Sequence, residues 1–147
     1  MRAWRATMVV WAAVVIGCSG GHAWAQNPVQ WQGNPKAAVE RAQEQMLPLM
    51  VWVWESTETV GRHGEDDDLR DAQEQAFRDP TVVSLAHSRF VPLRLMRNSR
   101  TNEALAELGL PTNYGLYIAI VSPDRKLIDQ IGIEDVASPA TLAARLE

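Results

Sequence analysis

Two spacings of hydrophobic residues alternate along the chain after residue 34, and together they predict helices interleaved with strands. Apolar residues three and four positions apart predict helices at 35–45, 68–78, 101–108 and 138–147, with a shorter helical turn at 81–87. Continuous or alternating apolar runs predict strands at 49–54, 90–96, 117–121 and 126–133. Strands that alternate with helices pair in parallel, and the last two strands, joined by a turn at 122–125, add an antiparallel hairpin. The predicted fold class is α/β, with a central mixed sheet of about four strands flanked by helices.

The run Leu49–Trp54 is apolar on both of its faces, which is typical of a strand covered by helices on both sides. Trp52 and Trp54 share one face, and Val51 and Val53 share the other. Core packing of the tryptophan pair is favoured over a ligand-binding box, because tryptophan supplies a large buried area and its indole N–H needs only one partner.

The N-terminus has the layout of an export signal. Arg2 and Arg5 precede an apolar run from Met8 to Ile16, and small residues follow that run. The run is too short for a membrane-spanning helix, which needs about 20 residues. The sequence therefore predicts export of this chain.

Two processing routes for the signal are open. The segment Ala23-Trp24-Ala25 is a small-x-small cleavage site that would release a soluble chain beginning at Gln26. The segment Val15-Ile16-Gly17-Cys18 resembles the lipobox of bacterial lipoproteins, which would make Cys18 the lipidated first residue. The predicted locations are the periplasm, the outer membrane through a lipid anchor, or the exterior of the cell. The predicted segments are an export signal at 1–25, a tether at 26–34 and a domain at 35–147.

The composition excludes several classes of function. The chain carries a net charge of −4 with histidine neutral, and loss of Arg2 and Arg5 with the signal lowers this to −6. An acidic domain has no general attraction for nucleic acid or for an anionic membrane surface. Cys18 is the single cysteine of the sequence. Residues 35–147 can therefore form no internal disulfide and depend on a hydrophobic core for their stability.

Several segments, taken in their order and spacing, resemble the thioredoxin-like superfamily. Residues 37–53 resemble its opening helix and first central strand, 76–82 resemble the segment after its active-site helix, and 88–93 resemble its next strand. Residues 121–126 resemble its hairpin turn, and 130–132 resemble the end of the last strand. The resemblance covers about residues 35–147 and implies a thioredoxin-like three-layer sandwich.

The catalytic features of that superfamily are missing from this sequence. Its members carry Cys-x-x-Cys just after the first central strand, where a helix N-terminus makes the thiol more acidic. The corresponding positions here are Thr57 to Val60, which can form neither a thiolate nor a mixed disulfide. The cis-proline of the superfamily corresponds to a position near Leu116, and Pro111 lies about five residues too early to supply it. The resemblance therefore implies a divergent exported member without dithiol–disulfide activity.

Two functions remain open. The first is a non-catalytic module that binds a protein or another component of the cell envelope through the loop at 55–68 and the segment 114–117, since binding residues concentrate on loops of a rigid scaffold. Such a module needs no cofactor and binds no nucleic acid. It is attached to a membrane only if Cys18 carries a lipid anchor. Its candidate binding residues are Glu55, Thr57, Glu58, Tyr114 and Tyr117.

The second function is an enzyme with a metal-assisted, non-thiol site around His63 and Glu65–Asp68, in which His63, Asp66 and Asp68 are the candidate ligands. The spacing matches neither a calcium loop nor a zinc motif. Acidic residues at the start of a helix are also explained by the helix dipole, so a solvated helix N-terminus is favoured over a metal site. His87, at the end of the short helical segment, is predicted to cap that helix or to lie on the surface.

Overall fold

The computed structural model describes residues 28–54, 65–112 and 117–147. Within these ranges the chain forms six helices and four strands in the predicted alternation. The helices are α1 (Pro35–Gln45), α2 (Glu65–Ala76), α3 (Pro80–Arg89), α4 (Ser99–Glu107), α5 (Ile133–Val136) and α6 (Pro139–Leu146). The strands are β1 (Leu49–Trp54), β2 (Val91–Met96), β3 (Tyr117–Val121) and β4 (Leu127–Gly132). None of the helices in this described part has the length and apolarity that crossing a membrane requires.

The four strands form one mixed sheet in the order β2-β1-β3-β4. β1 pairs in parallel with β2 and antiparallel with β3, and β3 pairs antiparallel with β4 through the predicted hairpin. Pro92 lies in β2, at one side of the four strands, where a residue that cannot donate to a ladder is tolerated. The predicted α/β class with a mixed four-stranded sheet is confirmed.

The sheet separates two hydrophobic clusters, and β1 contributes alternate residues to both. Val51 and Val53 face the cluster that α1 and α4 cover. Met50 and Trp52 face the cluster that α2, α3, α5 and α6 cover. All four side chains are at most 1% exposed. The apolar run in the sequence therefore has the predicted cause, because helices cover both faces of β1 and complete three layers.

Side-chain caps fix where α1 and α3 begin. Asn34 accepts a hydrogen bond from the Ala37 N–H, and Asp79 accepts from the N–H groups of Thr81 and Val82. A proline follows each cap, at the position where a helix loses nothing by the missing N–H. The caps satisfy amides that have no partner inside the helix, so each start is defined by its sequence.

Some predicted bounds are wrong. α2 begins at Glu65 rather than Asp68, α3 is a helix of 10 residues rather than a short turn, and α5 was not predicted. α4 begins at Ser99 rather than at residue 101, since Asn98 is its cap. The Asn98 side chain accepts from the Thr101 N–H while the Thr101 hydroxyl accepts from the Asn98 N–H. This reciprocal capping box fixes the start of the helix.

Residues 28–33, which we call the strap, lie against the domain, whereas the sequence predicted part of a free tether at 26–34. The Gln32 N–H donates to the Pro92 carbonyl at 3.0 Å, and the Arg94 N–H donates to the Gln32 carbonyl at 2.9 Å. Gln32 thereby forms a parallel bridge to the outer side of β2. Val29, which is 3% exposed, joins the cluster that contains Trp52. The strap therefore packs as part of the described fold.

Candidate functional site

The strand register places both predicted binding segments at one edge of the sheet. Trp54 ends β1 beside Met96, which ends β2, and Val53 pairs with Tyr117 at the start of β3. Residue 55 follows Trp54, and residue 116 precedes Tyr117, so the segments 55–64 and 113–116 both join the sheet at this edge. We call the described residues here, Trp54, Met96, Arg97, Thr112 and Tyr117, the site edge. In an α/β sheet, ligands bind beyond the carboxyl ends of parallel strands, and this edge holds those of β1 and β2.

Two hydrogen bonds fasten the segment after α4 to the site edge. The Arg97 guanidinium donates from Nη2 to the Thr112 carbonyl at 2.6 Å. The Tyr117 hydroxyl donates to the Pro111 carbonyl at 2.8 Å. The Arg97 backbone N–H also donates to the Trp54 carbonyl at 2.7 Å, so that Arg97 joins β1 to this segment. Pro111 and Thr112, which lead into residues 113–116, are therefore held in place by the Tyr117 and Arg97 side chains, and we call this arrangement a rigid base.

Tyr117 has a different role from the one predicted for it. Its side chain is 2% exposed and packs in the cluster beneath α1 and α4, so its ring is not available as a binding surface. Burial raises the pKa of the Tyr117 hydroxyl above its ordinary value of 10.0, and the positive charge of Arg97 opposes part of that rise. The hydroxyl therefore stays protonated at neutral pH and serves as a donor that positions Pro111.

Beside the site edge, an arginine lies between the two tryptophans of β1. Arg94 is in register with Trp52, and its guanidinium carbon lies 4.5 Å from the Trp52 ring centroid and 4.4 Å from that of Trp54. Glu74 of α2 approaches Arg94 Nη2 at 3.5 Å. The Arg94 Nε has no hydrogen-bond partner among the described residues. The two indole faces therefore supply much of the stabilisation of this cation.

The Trp52 ring is fixed from its other side by a buried amide. The indole N–H donates to Gln73 Oε1 at 3.2 Å, and Gln73 Nε2 donates to the Ile133 carbonyl at 3.5 Å. Gln73 is fully buried. The predicted interpretation of the tryptophan pair as core packing fits this arrangement, because Trp52 has its single required partner inside the protein.

A small cavity of about 150 Å³ lies next to this group, between the strap and α2. Its aromatic walls are Trp31, Trp52 and Phe77, which contact one another with ring centroids 4.6 to 5.4 Å apart. Arg78 and Glu74 also line it. Sequence reasoning missed this feature because Trp31 was assigned to a tether, and its partners come from distant parts of the chain.

Most of the predicted site residues are not placed by the structure. Asp68 is exposed in the first turn of α2, consistent with a solvated acidic helix N-terminus. No group of three or more metal-binding side chains occurs among the residues that are described. The following predictions lie outside the described residues: Cys18, Glu55, Thr57, Glu58, His63 and Tyr114, together with the side chain of Asp66.

The position predicted for the cis-proline of the superfamily, near Leu116, also lies outside the described residues. Pro111 is described, and every peptide bond in the described ranges is trans. Pro111 contributes its carbonyl as the acceptor for Tyr117.

Comparison with solved structures identifies the fold. A disulphide isomerase from Xylella fastidiosa Temecula1 matches with a TM-score of 0.55 and 16% sequence identity, over 76% of this chain and 84% of that one. A thioredoxin from Thermus thermophilus matches with a TM-score of 0.58 and 16% identity, over 82% of this chain and 85% of that one. No model of a protein family matches the chain, and no curated protein matches it either. The chain therefore has a thioredoxin-like fold, as its sequence predicted, at a level of identity that establishes the fold alone.

Proposed function

We propose that this chain is an exported thioredoxin-like domain that binds a protein or another component of the cell envelope and does not exchange disulfides. One observation carries the proposal: the fold of a dithiol enzyme is combined with a sequence whose only cysteine, Cys18, precedes the folded elements. Thiol–disulfide exchange needs a thiolate at the site, and no residue after Cys18 can supply one. What remains at the site edge is a base, held by Arg97 and Tyr117, from which the segments 55–64 and 113–116 lead.

The rigidity of the site edge supports binding as the remaining role. Arg97 and Tyr117 hold the segment at Pro111 and Thr112 in place, so a partner that contacts the loops does not have to order the base on which they stand. Pre-organisation of this kind lowers the entropy cost of association. Glu55, Thr57, Glu58 and Tyr114 remain the candidate contact residues, since each lies in a segment that joins this edge.

Site-specific crosslinking tests the proposed surface. A photoreactive amino acid placed at Thr112, which is exposed, should crosslink a defined partner in cell envelopes. The matched control places the same group at Lys126, also exposed, in the hairpin turn at the opposite end of β3. Equal crosslinking at both positions, or none at Thr112, would contradict a binding surface at the site edge.

A disulfide-reduction assay tests the absence of dithiol chemistry separately. The purified chain and its Cys18→Ser variant should both reduce a protein disulfide no faster than buffer with the same reductant. Turnover by either protein would refute the proposal, whatever the crosslinking experiment finds.

The export part of the proposal rests on the N-terminal pattern and has its own measurement. The mass of the mature N-terminus distinguishes a lipidated Cys18 from a free Gln26. An intact Met1 in envelope-free cell extract, with no processed form elsewhere, would remove export from the proposal while leaving the other two tests unaffected.

A further inference from the structure

The strap is attached to α3 through a histidine that acts as a hydrogen-bond acceptor. The Gln30 backbone N–H donates to His87 Nε2 at 2.8 Å. An imidazole nitrogen accepts a hydrogen bond only when it carries no proton, whereas both nitrogens of an imidazolium are donors. The attachment in the structure therefore requires the neutral form of His87.

The other contacts of the strap are backbone hydrogen bonds and apolar packing. The Val29 N–H donates to the Phe77 carbonyl at 3.2 Å, and Trp31 meets the Phe77 ring edge-on at 4.8 Å between centroids. Residues 28–33 include no charged side chain. None of these contacts changes with pH in the range where histidine titrates. Among the described residues, His87 is the one titratable side chain that forms a hydrogen bond with the strap.

Charged groups lie on every element around His87, but none forms an ion pair with it among the described residues. Helix α3 packs against α6 and β2, and it follows α2 along the chain. The described charged side chains of these elements, of the link at 77–79 and of residue 147 are Asp68, Arg70, Asp71, Glu74, Arg78, Asp79, Arg89, Arg94, Arg145 and Glu147. While the strap is closed, protonated His87 therefore has no ion-pair partner among the described residues that would stabilise its positive charge.

We propose that His87 is a pH-sensitive latch that holds the strap closed when neutral and loosens it when protonated. On protonation, Nε2–H points at the Gln30 N–H, so two donors face each other where one bond had been. The segment Pro28–Trp31 then opens roughly tenfold more often, the equivalent of one lost hydrogen bond, and in each opening the rings of Trp52 and Phe77 lose the cover that Trp31 gives them. The sheet keeps its two hydrophobic clusters, because the strap adds only Val29 and Trp31 to one of them.

The latch has a consequence that rests on the proposed anchor at Cys18. The strap is the part of the described chain nearest in sequence to that anchor, so each opening would add residues 28–31, about 13 Å when extended, to the tether. The latch itself does not depend on the anchor, since every contact that forms it is within residues 28–94.

Amide hydrogen exchange of the purified full-length chain tests the latch directly. Between pH 8 and pH 5 the protection factor of the Gln30 amide, corrected for intrinsic exchange, should fall roughly tenfold, the equivalent of one lost hydrogen bond. The Ile120 amide in β3 should keep its protection, which shows that the domain stays folded. Intrinsic tryptophan fluorescence should change over the same pH range as the Gln30 protection, and this change should be absent in Trp31→Phe.

His87→Gln is the decisive variant, because the glutamine carbonyl can accept the Gln30 N–H and does not titrate. This variant should keep Gln30 protected at both pH values, while His87→Ala should leave it unprotected at both. His63→Gln is the matched control and should respond to pH as the natural chain does. A pH response that survives in His87→Gln, or Gln30 protection in the natural chain that is the same at pH 5 and pH 8, would overturn the proposal.

Discussion

The buried pair formed by Trp52 and Gln73 permits a quantitative prediction about stability. Gln73→Met keeps the length and unbranched shape of the side chain but removes the acceptor for the Trp52 indole N–H. Both residues are shielded from water, so no solvent molecule replaces the acceptor. An unsatisfied buried donor costs about 1–3 kcal/mol, and the bond to the Ile133 carbonyl, at 3.5 Å, adds little to this. We expect a loss of about 2 kcal/mol in the free energy of unfolding.

Urea unfolding followed by circular dichroism measures this loss. With a slope of about 1–3 kcal/mol per molar urea, the unfolding midpoint should fall by about 1 M. Trp52→Phe and the double variant with Gln73→Met complete a double-mutant cycle. The double variant should be more stable than the sum of the two single losses predicts, by about 1 kcal/mol or more, because replacing both partners leaves no unsatisfied group. Strictly additive losses, or no loss in Gln73→Met, would refute the reasoning.

Three further predictions concern the hydroxyl of Tyr117, the cap of α3 and the end of α1. Tyr117→Phe should cost about 0.5–1.5 kcal/mol at pH 7 by removing the bond to Pro111. Because burial raises the Tyr117 pKa, the unfolded chain ionises first. The stability that this residue contributes is complete below the ordinary tyrosine pKa of 10.0 and is lost as pH rises through the folded value, so urea midpoints should decline less steeply above pH 10 in the variant. Asp79→Ala should lower the melting temperature through a loss of about 1 kcal/mol, while Asp79→Asn, which keeps an accepting oxygen, should lower it much less. Met46→Gly should raise the melting temperature, since Met46 ends α1 at a φ of 54° that glycine adopts without strain, whereas Gln45→Gly in the last helical position should lower it.

The sheet was predictable because the residue pattern that indicates each strand lies within that strand. The run Leu49–Trp54 has no polar residue on either face, and that pattern alone indicates a strand between two layers of helices. The bounds of β1 and β3 match the prediction, and β4 differs by one residue at each end. The starts of α1 and α6 were also predictable to within one residue, because the cap and the proline are adjacent in sequence.

The strap was not predictable, because its partners are distant in sequence. The Gln30 N–H meets a side chain 57 residues away, and nothing in the polar segment 26–34 indicates that pairing. Only Val29 and Trp31 interrupt the polar pattern, which is too few for a periodic signal. Tyr117 was misassigned for a related reason. An aromatic residue next to a loop looks exposed in the sequence, and only the register with Val53 shows that it lies under helices.

The contacts that stabilise the described fold join parts of the chain on both sides of residues 55–64. The two clusters, the caps of α1, α3 and α4, the bond between Trp52 and Gln73, and the strap all form between described residues. On the function proposed above, the base at Arg97 and Tyr117 would present the segments 55–64 and 113–116 to a partner, since binding residues concentrate on the connections of a rigid scaffold. That is why we look for function at this edge of the sheet, beyond the carboxyl ends of β1 and β2.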